Sequence, residues 1–161
     1  MKPYRILFVC MGNICRSPAG EAVMQKLVEE KGLEDQILCD SAGTISFHTG
    51  NPPDHRMHQA AARRYIRTGG RARQVLREDF QVFDRILAMD GDNLRDLLAL
   101  AETDEERDRV RPFCNYCEDH ENRDVPDPYY GGPMGFELVL DLLEDGCRQL
   151  LQEACDALEK K

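Results

Sequence analysis

The sequence predicts an α/β fold, a twisted parallel sheet with helices on both faces, in a single domain over residues 1–161. Three observations carry this. Residues 4–9 form an apolar, β-rich run without alternation, as a strand covered on both faces requires. Strand-like and helix-like segments then alternate along the chain, and the last quarter carries apolar residues at helical spacing. A length of 161 residues suffices for one core without help from disulfides or metals.

The first strand, 4–9, leads straight into the loop Cys10-Met11-Gly12-Asn13-Ile14-Cys15-Arg16-Ser17. Ser17-Pro18 then opens a helix, because proline lacks an amide that the first turn would leave unpaired anyway. Val23, Leu27 and Val28 share one face of it until Gly32 ends it. Residues 37–41 predict a second strand, and Asn51-Pro52-Pro53-Asp54 a stiff connection into a helix that Gly69-Gly70 terminates. Residues 85–89 predict a third strand, 92–100 a helix and 110–113 a fourth strand. The polar segment 114–135, rich in proline and glycine, reads as a functional loop, since a connector of that length is rare inside a compact domain. Phe136, Val139, Leu140, Leu143, Cys147, Leu150, Leu151, Ala154 and Leu158 predict a long closing helix.

Seven cysteines, an odd number at spacings unlike a disulfide framework, predict mostly free thiols in a reducing, cytoplasmic setting. The apolar run after Lys2 and Arg5 is too short for a signal-peptide core or a membrane span. A formal net charge of −9 opposes nucleic acid and anionic membranes, which both reward basic surface. Any anionic ligand therefore needs a local cationic site.

The pattern Cys-x5-Arg occurs twice, from Cys10 to Arg16 and from Cys117 to Arg123. The second copy encloses Glu118, Asp119 and Glu121, which repel a phosphate dianion. The first contains no acid and lies between a strand and a helix N-terminus. Gly12 permits close approach, Asn13 tolerates left-handed backbone, and successive amides can form an anion-binding nest that the helix dipole strengthens. The same field favours ionisation of Cys10, which makes it a nucleophile. Arg16 can offer two parallel donors to phosphate oxygens, a fork that lysine lacks. Either residue alone would be ordinary; together with Gly12, Asn13, Ser17 and Pro18 they predict a loop that binds phosphate and attacks phosphorus.

The run Val9-Cys10-Met11-Gly12-Asn13-Ile14-Cys15-Arg16-Ser17-Pro18 resembles the signature of the low-molecular-weight protein-tyrosine phosphatases. Asp40-Ser41-Ala42-Gly43-Thr44, Ala72-Arg73-Gln74, Asp79-Phe80, Met89-Asp90, Asn93-Leu94 and Asp127-Pro128-Tyr129-Tyr130 also resemble that family, in order, over nearly the whole chain. The resemblance implies a four-stranded parallel sheet and hydrolysis of phosphotyrosine proteins and small aryl phosphates, without metal or cofactor, through a phosphocysteine. It implies Cys10 as nucleophile, Arg16 as phosphate clamp and Asp127 as the acid that protonates the phenol and then activates water. Asn13, Ser17 and Ser41 match supporting positions, with Met11, Gly12, Ile14 and Cys15 completing the loop.

The residues alone leave the acid open among Asp119, Glu121, Asp124 and Asp127, and the Asp-Pro-Tyr-Tyr match selects Asp127, held between Pro126 and Pro128. Tyr129 and Tyr130 resemble aromatics that wall the cleft. Phe47 resembles an aromatic of the opposite wall, with core packing as its alternative. Cys15 resembles a thiol that forms a reversible disulfide with the nucleophile. Ile14 is the residue of tyrosine-selective relatives, threonine there marking relatives that act on phosphoarginine. Gly70, where many members carry histidine, and Ser46-Phe47-His48-Thr49 depart from the pattern and bear on substrate preference.

Cys114-x2-Cys117 with His120 suggests a metal corner but lacks a fourth ligand. His55 and His58, among Arg56, Arg63, Arg64 and Arg67, read as a solvated face. An arsenate reductase of similar fold would reuse the anion loop and draw on Cys114 and Cys117, whereas Ile14 and Asp-Pro-Tyr-Tyr favour an aryl phosphate. A catalytically silent phosphotyrosine-binding module would need neither Cys10 nor Asp127.

Overall fold

A computed structural model describes residues 2–129 and 132–160. Its core strand is β1 (Tyr4–Cys10), whose lack of alternation has a direct cause. Tyr4, Ile6, Phe8 and Cys10 enter one apolar layer, and Leu7 and Val9 enter the other. The first layer is closed by α1 (Arg16–Glu30), by α2 (His55–Ala62) and by α6 (Pro133–Glu159). The second is closed by Phe80 of α3 (Asp79–Val82), by Phe83 and by Leu97 of α4 (Gly91–Leu100). Both faces of the sheet are therefore dry, as a parallel sheet requires.

Four parallel strands lie in the order β2-β1-β3-β4, with β2 at Ile37–Gly43, β3 at Arg85–Ala88 and β4 at Val110–Pro112. The chain leaves β1 toward β2 on one side and returns to β3 on the other. This reversal opens a crevice at the carboxyl ends of the strands, the usual ligand position in open α/β sheets. Cys10 pairs with Gly43, and Val9 with Ala88, so three strands end at that crevice.

Several boundaries differ from the sequence-based expectation. The helix predicted to run to Gly69-Gly70 stops at Ala62. Tyr65 adopts φ 62°, and the Ile66 amide donates back to the Ala61 carbonyl at 3.0 Å, which turns Ile66 into the core. Arg64 holds that turn through Glu137, Asp141 and Glu144 of α6, contacts that no local pattern encodes. Phe113, expected to end a strand, instead opens a 3-10 turn, Phe113–Tyr116. The short helices α3 and α5 (Asp104–Asp108) went unpredicted because neither carries an apolar period; α5 is set by Thr103 Oγ1 accepting from the Glu106 amide.

The long helix packs unusually close to that 3-10 turn at Gly146. A Cβ there would lie 2.5 Å from two ring atoms of the fully buried Phe113. Gly146→Ala should therefore destabilise the protein by about 1–3 kcal/mol, although alanine is the better helix former. Urea denaturation checks this: the midpoint should fall at constant m-value, and an unchanged or higher midpoint would contradict the contact. Among the described residues, no helix is long and apolar enough to cross a membrane.

Candidate active site

The loop from Cys10 to Arg16 turns at the end of β1 and delivers the chain into α1 with Cys15 at the N-cap position. Asn13 makes that turn, at φ 57°, a conformation asparagine tolerates better than most residues. Its side chain is fully used: Nδ2 donates to Ser17 Oγ at 2.8 Å, and Oδ1 accepts from the Arg73 amide at 2.9 Å. The loop carbonyls of Cys10, Met11 and Ile14 accept from the amides of Thr44, Ile45 and Asp54, at 2.9, 3.1 and 2.7 Å. Acceptors are thus consumed on the outside of the loop. At Gly12 the close neighbour is His48, since a Cβ there would lie 2.9 Å from His48 Cδ2.

Around the sulfur, Ser17 Oγ lies 3.0 Å from Cys10 Sγ and the Asn13 amide donates to it at 3.3 Å. Arg16 is 3% exposed; its Nη1 donates to Asp90 Oδ2 at 2.6 Å and to the Val125 carbonyl at 3.0 Å. Nη2 faces Asp127 Oδ2 at 3.8 Å. Burial opposes the guanidinium charge, but Cys10, Asp90 and Asp127 outweigh it and hold the group above its ordinary value. Asp127 Oδ1 in turn accepts from the Tyr129 amide at 3.0 Å.

Cys10, Met11, Gly12, Ile14, Cys15, Arg16, His48, Asp127 and Tyr129 line one open cavity. Of the four acids the sequence left open, only Asp127 reaches it. Asp119 pairs with Arg148 at 3.1 Å, Asp124 accepts from the Gly91 amide at 3.1 Å, and Glu121 is exposed. The wall opposite Tyr129 is His48, with ring centroids 6.2 Å apart. Phe47 is 82% exposed and touches His48 edge-on from outside the cavity, so it is neither a core residue nor a lining one. Tyr130, the other expected wall aromatic, lies outside the described residues.

Ser41, expected to bond the loop or the sulfur, donates instead to Glu21 Oε1 at 2.8 Å. Burial pushes the Glu21 carboxyl up to about 7 against that hydrogen bond, with Asp40 adding to the rise. The folded state therefore keeps this proton where the unfolded chain has lost it, so stability falls as pH climbs from the ordinary carboxylate range to about 7 and is level above. Glu21→Gln, whose amide oxygen can still accept from Ser41, should match wild type near pH 4.5. At pH 8 it should be more stable, on the order of 1–3 kcal/mol. A difference between the two proteins that does not change with pH would refute it.

Sequence reasoning missed two further supports. Asp90 caps α4 with Oδ1, accepting from the Asn93 amide at 2.8 Å, while Oδ2 takes Arg16, so one carboxylate ties the arginine to a helix end. Arg73 offers its amide to Asn13 while its guanidinium is clamped by Asp79 and Asp40. Both residues lie inside the family-like motifs Met89-Asp90 and Ala72-Arg73-Gln74. Among the described residues no three His, Cys, Asp or Glu side chains converge as metal ligands.

Residues 5–161 match the family described as low molecular weight phosphotyrosine protein phosphatase. This chain belongs to that family. A Synechocystis relative is 53% identical over 147 residues, covering 91% of this chain and 94% of its own length. The crystal structure of a protein tyrosine phosphatase from Entamoeba histolytica, with Hepes in its active site, superposes with a TM-score of 0.93 at 41% identity, covering 96% of this chain and 98% of that one. A Drosophila arginine phosphatase superposes with a TM-score of 0.85 at 33% identity, covering 95% and 97%. As a low molecular weight protein-tyrosine phosphatase, the chain is a hydrolase of phosphomonoesters.

Proposed function

We propose that this phosphatase hydrolyses phosphotyrosine in proteins through a phosphocysteine on Cys10. The supporting observation is the convergence of Cys10, the buried Arg16 and the Asp127 carboxyl group on a single cavity at the end of the parallel sheet. In the first step the Cys10 thiolate attacks phosphorus in line with the phenolic oxygen; the P–O bond breaks, and Asp127 gives its proton to the phenolate. Arg16 and the loop amides carry the equatorial oxygens. In the second step a water attacks phosphorus, Asp127 takes its proton, and the sulfur leaves with its electron pair.

Ser17 stabilises the sulfur as leaving group from 3.0 Å. Cys15 lines the same cavity, but burial, with Asp54 nearby, pushes its thiol well above the ordinary value. It stays protonated and does not compete with Cys10; its assigned role is a reversible disulfide with Cys10 under oxidant. His48 and Tyr129 face the phenyl ring, and Ile14 favours phosphotyrosine over phosphoarginine.

The test is acid quenching during turnover of a phosphotyrosine peptide. One phosphoryl group should be found on residues 6–16, which contain Cys10, with phosphotyrosine turned over faster than phosphoserine or phosphoarginine. Full turnover with no phosphorylated cysteine overturns the mechanism. Preference for phosphoarginine, or arsenate turnover that needs a thiol reductant, overturns the substrate assignment.

A further inference from the structure

Cys114 and Cys117 have no part in the chemistry above, yet the fold holds them as a pair. Cys114 is the second residue of the 3-10 turn Phe113–Tyr116 and Cys117 caps its end, with the Cys117 amide donating to the Cys114 carbonyl at 3.1 Å. Residues three apart in such a turn are separated by one helical rise, about 6 Å between Cα atoms. That falls within the roughly 4.4–6.8 Å that a disulfide spans.

The turn is fixed on three sides. Phe113 sits in the notch at Gly146, Cys117 Sγ lies 3.5 Å from the Leu142 carbonyl oxygen, and buried Asp145 accepts from the amides of Glu118 and Asp119 at 3.0 Å each. Closing a bridge therefore requires side-chain rotation rather than backbone movement. Access runs through a surface cavity that the buried Cys114 lines with Asn115, Arg123 and Asp90, and Cys117 is part-buried.

We infer that Cys114 and Cys117 form a second redox site, which disulfide-bearing small molecules or proteins convert to an intramolecular disulfide. The inference stands apart from the phosphatase mechanism, in which neither thiol takes part. Cys114, reached through the cavity, attacks one sulfur of the incoming disulfide as thiolate, forming a mixed disulfide and releasing one thiol that takes up the proton. Cys117 then attacks the Cys114 sulfur, expelling the second thiol with the second proton. The pair loses two electrons and two protons, and the incoming disulfide gains them as two thiols.

The test equilibrates the folded protein with oxidised and reduced glutathione at graded ratios, followed by acid quench, alkylation and tryptic mass mapping. Residues 110–123 carry Cys114 and Cys117 alone, while residues 6–16 carry Cys10 and Cys15, so the two pairs are read separately. The first peptide should become two hydrogens lighter and resist alkylation at the oxidising end, with the circular dichroism of the fold unchanged. In Cys114→Ser and Cys117→Ser the surviving thiol should carry glutathione instead. Dialkylation of residues 110–123 at every ratio, separate glutathione adducts on both thiols, or bridging only in urea would each overturn the inference.

Discussion

A Cys10→Ser variant is expected to lose at least about 10⁴-fold in kcat while still binding inorganic phosphate, because serine keeps the shape of the site and removes the reactive group. A serine hydroxyl is far less acidic and less nucleophilic than a cysteine thiol, so the attacking atom is lost. The apparatus that seats the dianion stays: Arg16 remains on Asp90 and Val125, and Asn13 remains locked between Ser17 and Arg73. Steady-state kinetics on an aryl phosphate, beside calorimetric titration with phosphate, separates the two effects. Turnover comparable to wild type would end the covalent mechanism.

Asp127→Ala should lower turnover by about 10²–10⁴-fold for poor leaving groups and far less for nitrophenyl esters, whose anions depart unaided. The argument rests on placement. Asp127 alone among the acids of its loop reaches the cavity; Asp119 and Asp124 are engaged elsewhere. Its carboxyl sits 3.8 Å from Arg16, too long for a hydrogen bond, and is steadied by the Tyr129 amide, which leaves Oδ2 for the substrate oxygen. A steeper dependence of log kcat on leaving-group basicity is the signature to measure. Equal losses across all leaving groups would show that the proton comes from another residue.

The loop was legible because its chemistry is local. A strand end, a left-handed asparagine, a cysteine, an arginine and a helix start fall within eight residues, and the fold places each of them where that local pattern says. The α/β class was legible for a similar reason, since a strand buried on both faces shows as an unbroken apolar run. The cavity wall was not. Phe47 matches an aromatic position, yet His48 faces Tyr129, because one residue of displacement in an irregular loop changes which side chain points inward.

The chain by itself determined the layered class and the strand–loop–helix unit that places Cys10 and Arg16 on one cavity, set by neighbours in sequence and by hydrophobic period. Only the folded structure decided what restrains Arg16, which acid reaches the crevice, that Ser41 answers to Glu21, and where α2 must stop. Each of these depends on groups dozens of residues apart meeting at hydrogen-bond distance, and a linear pattern carries no record of such meetings.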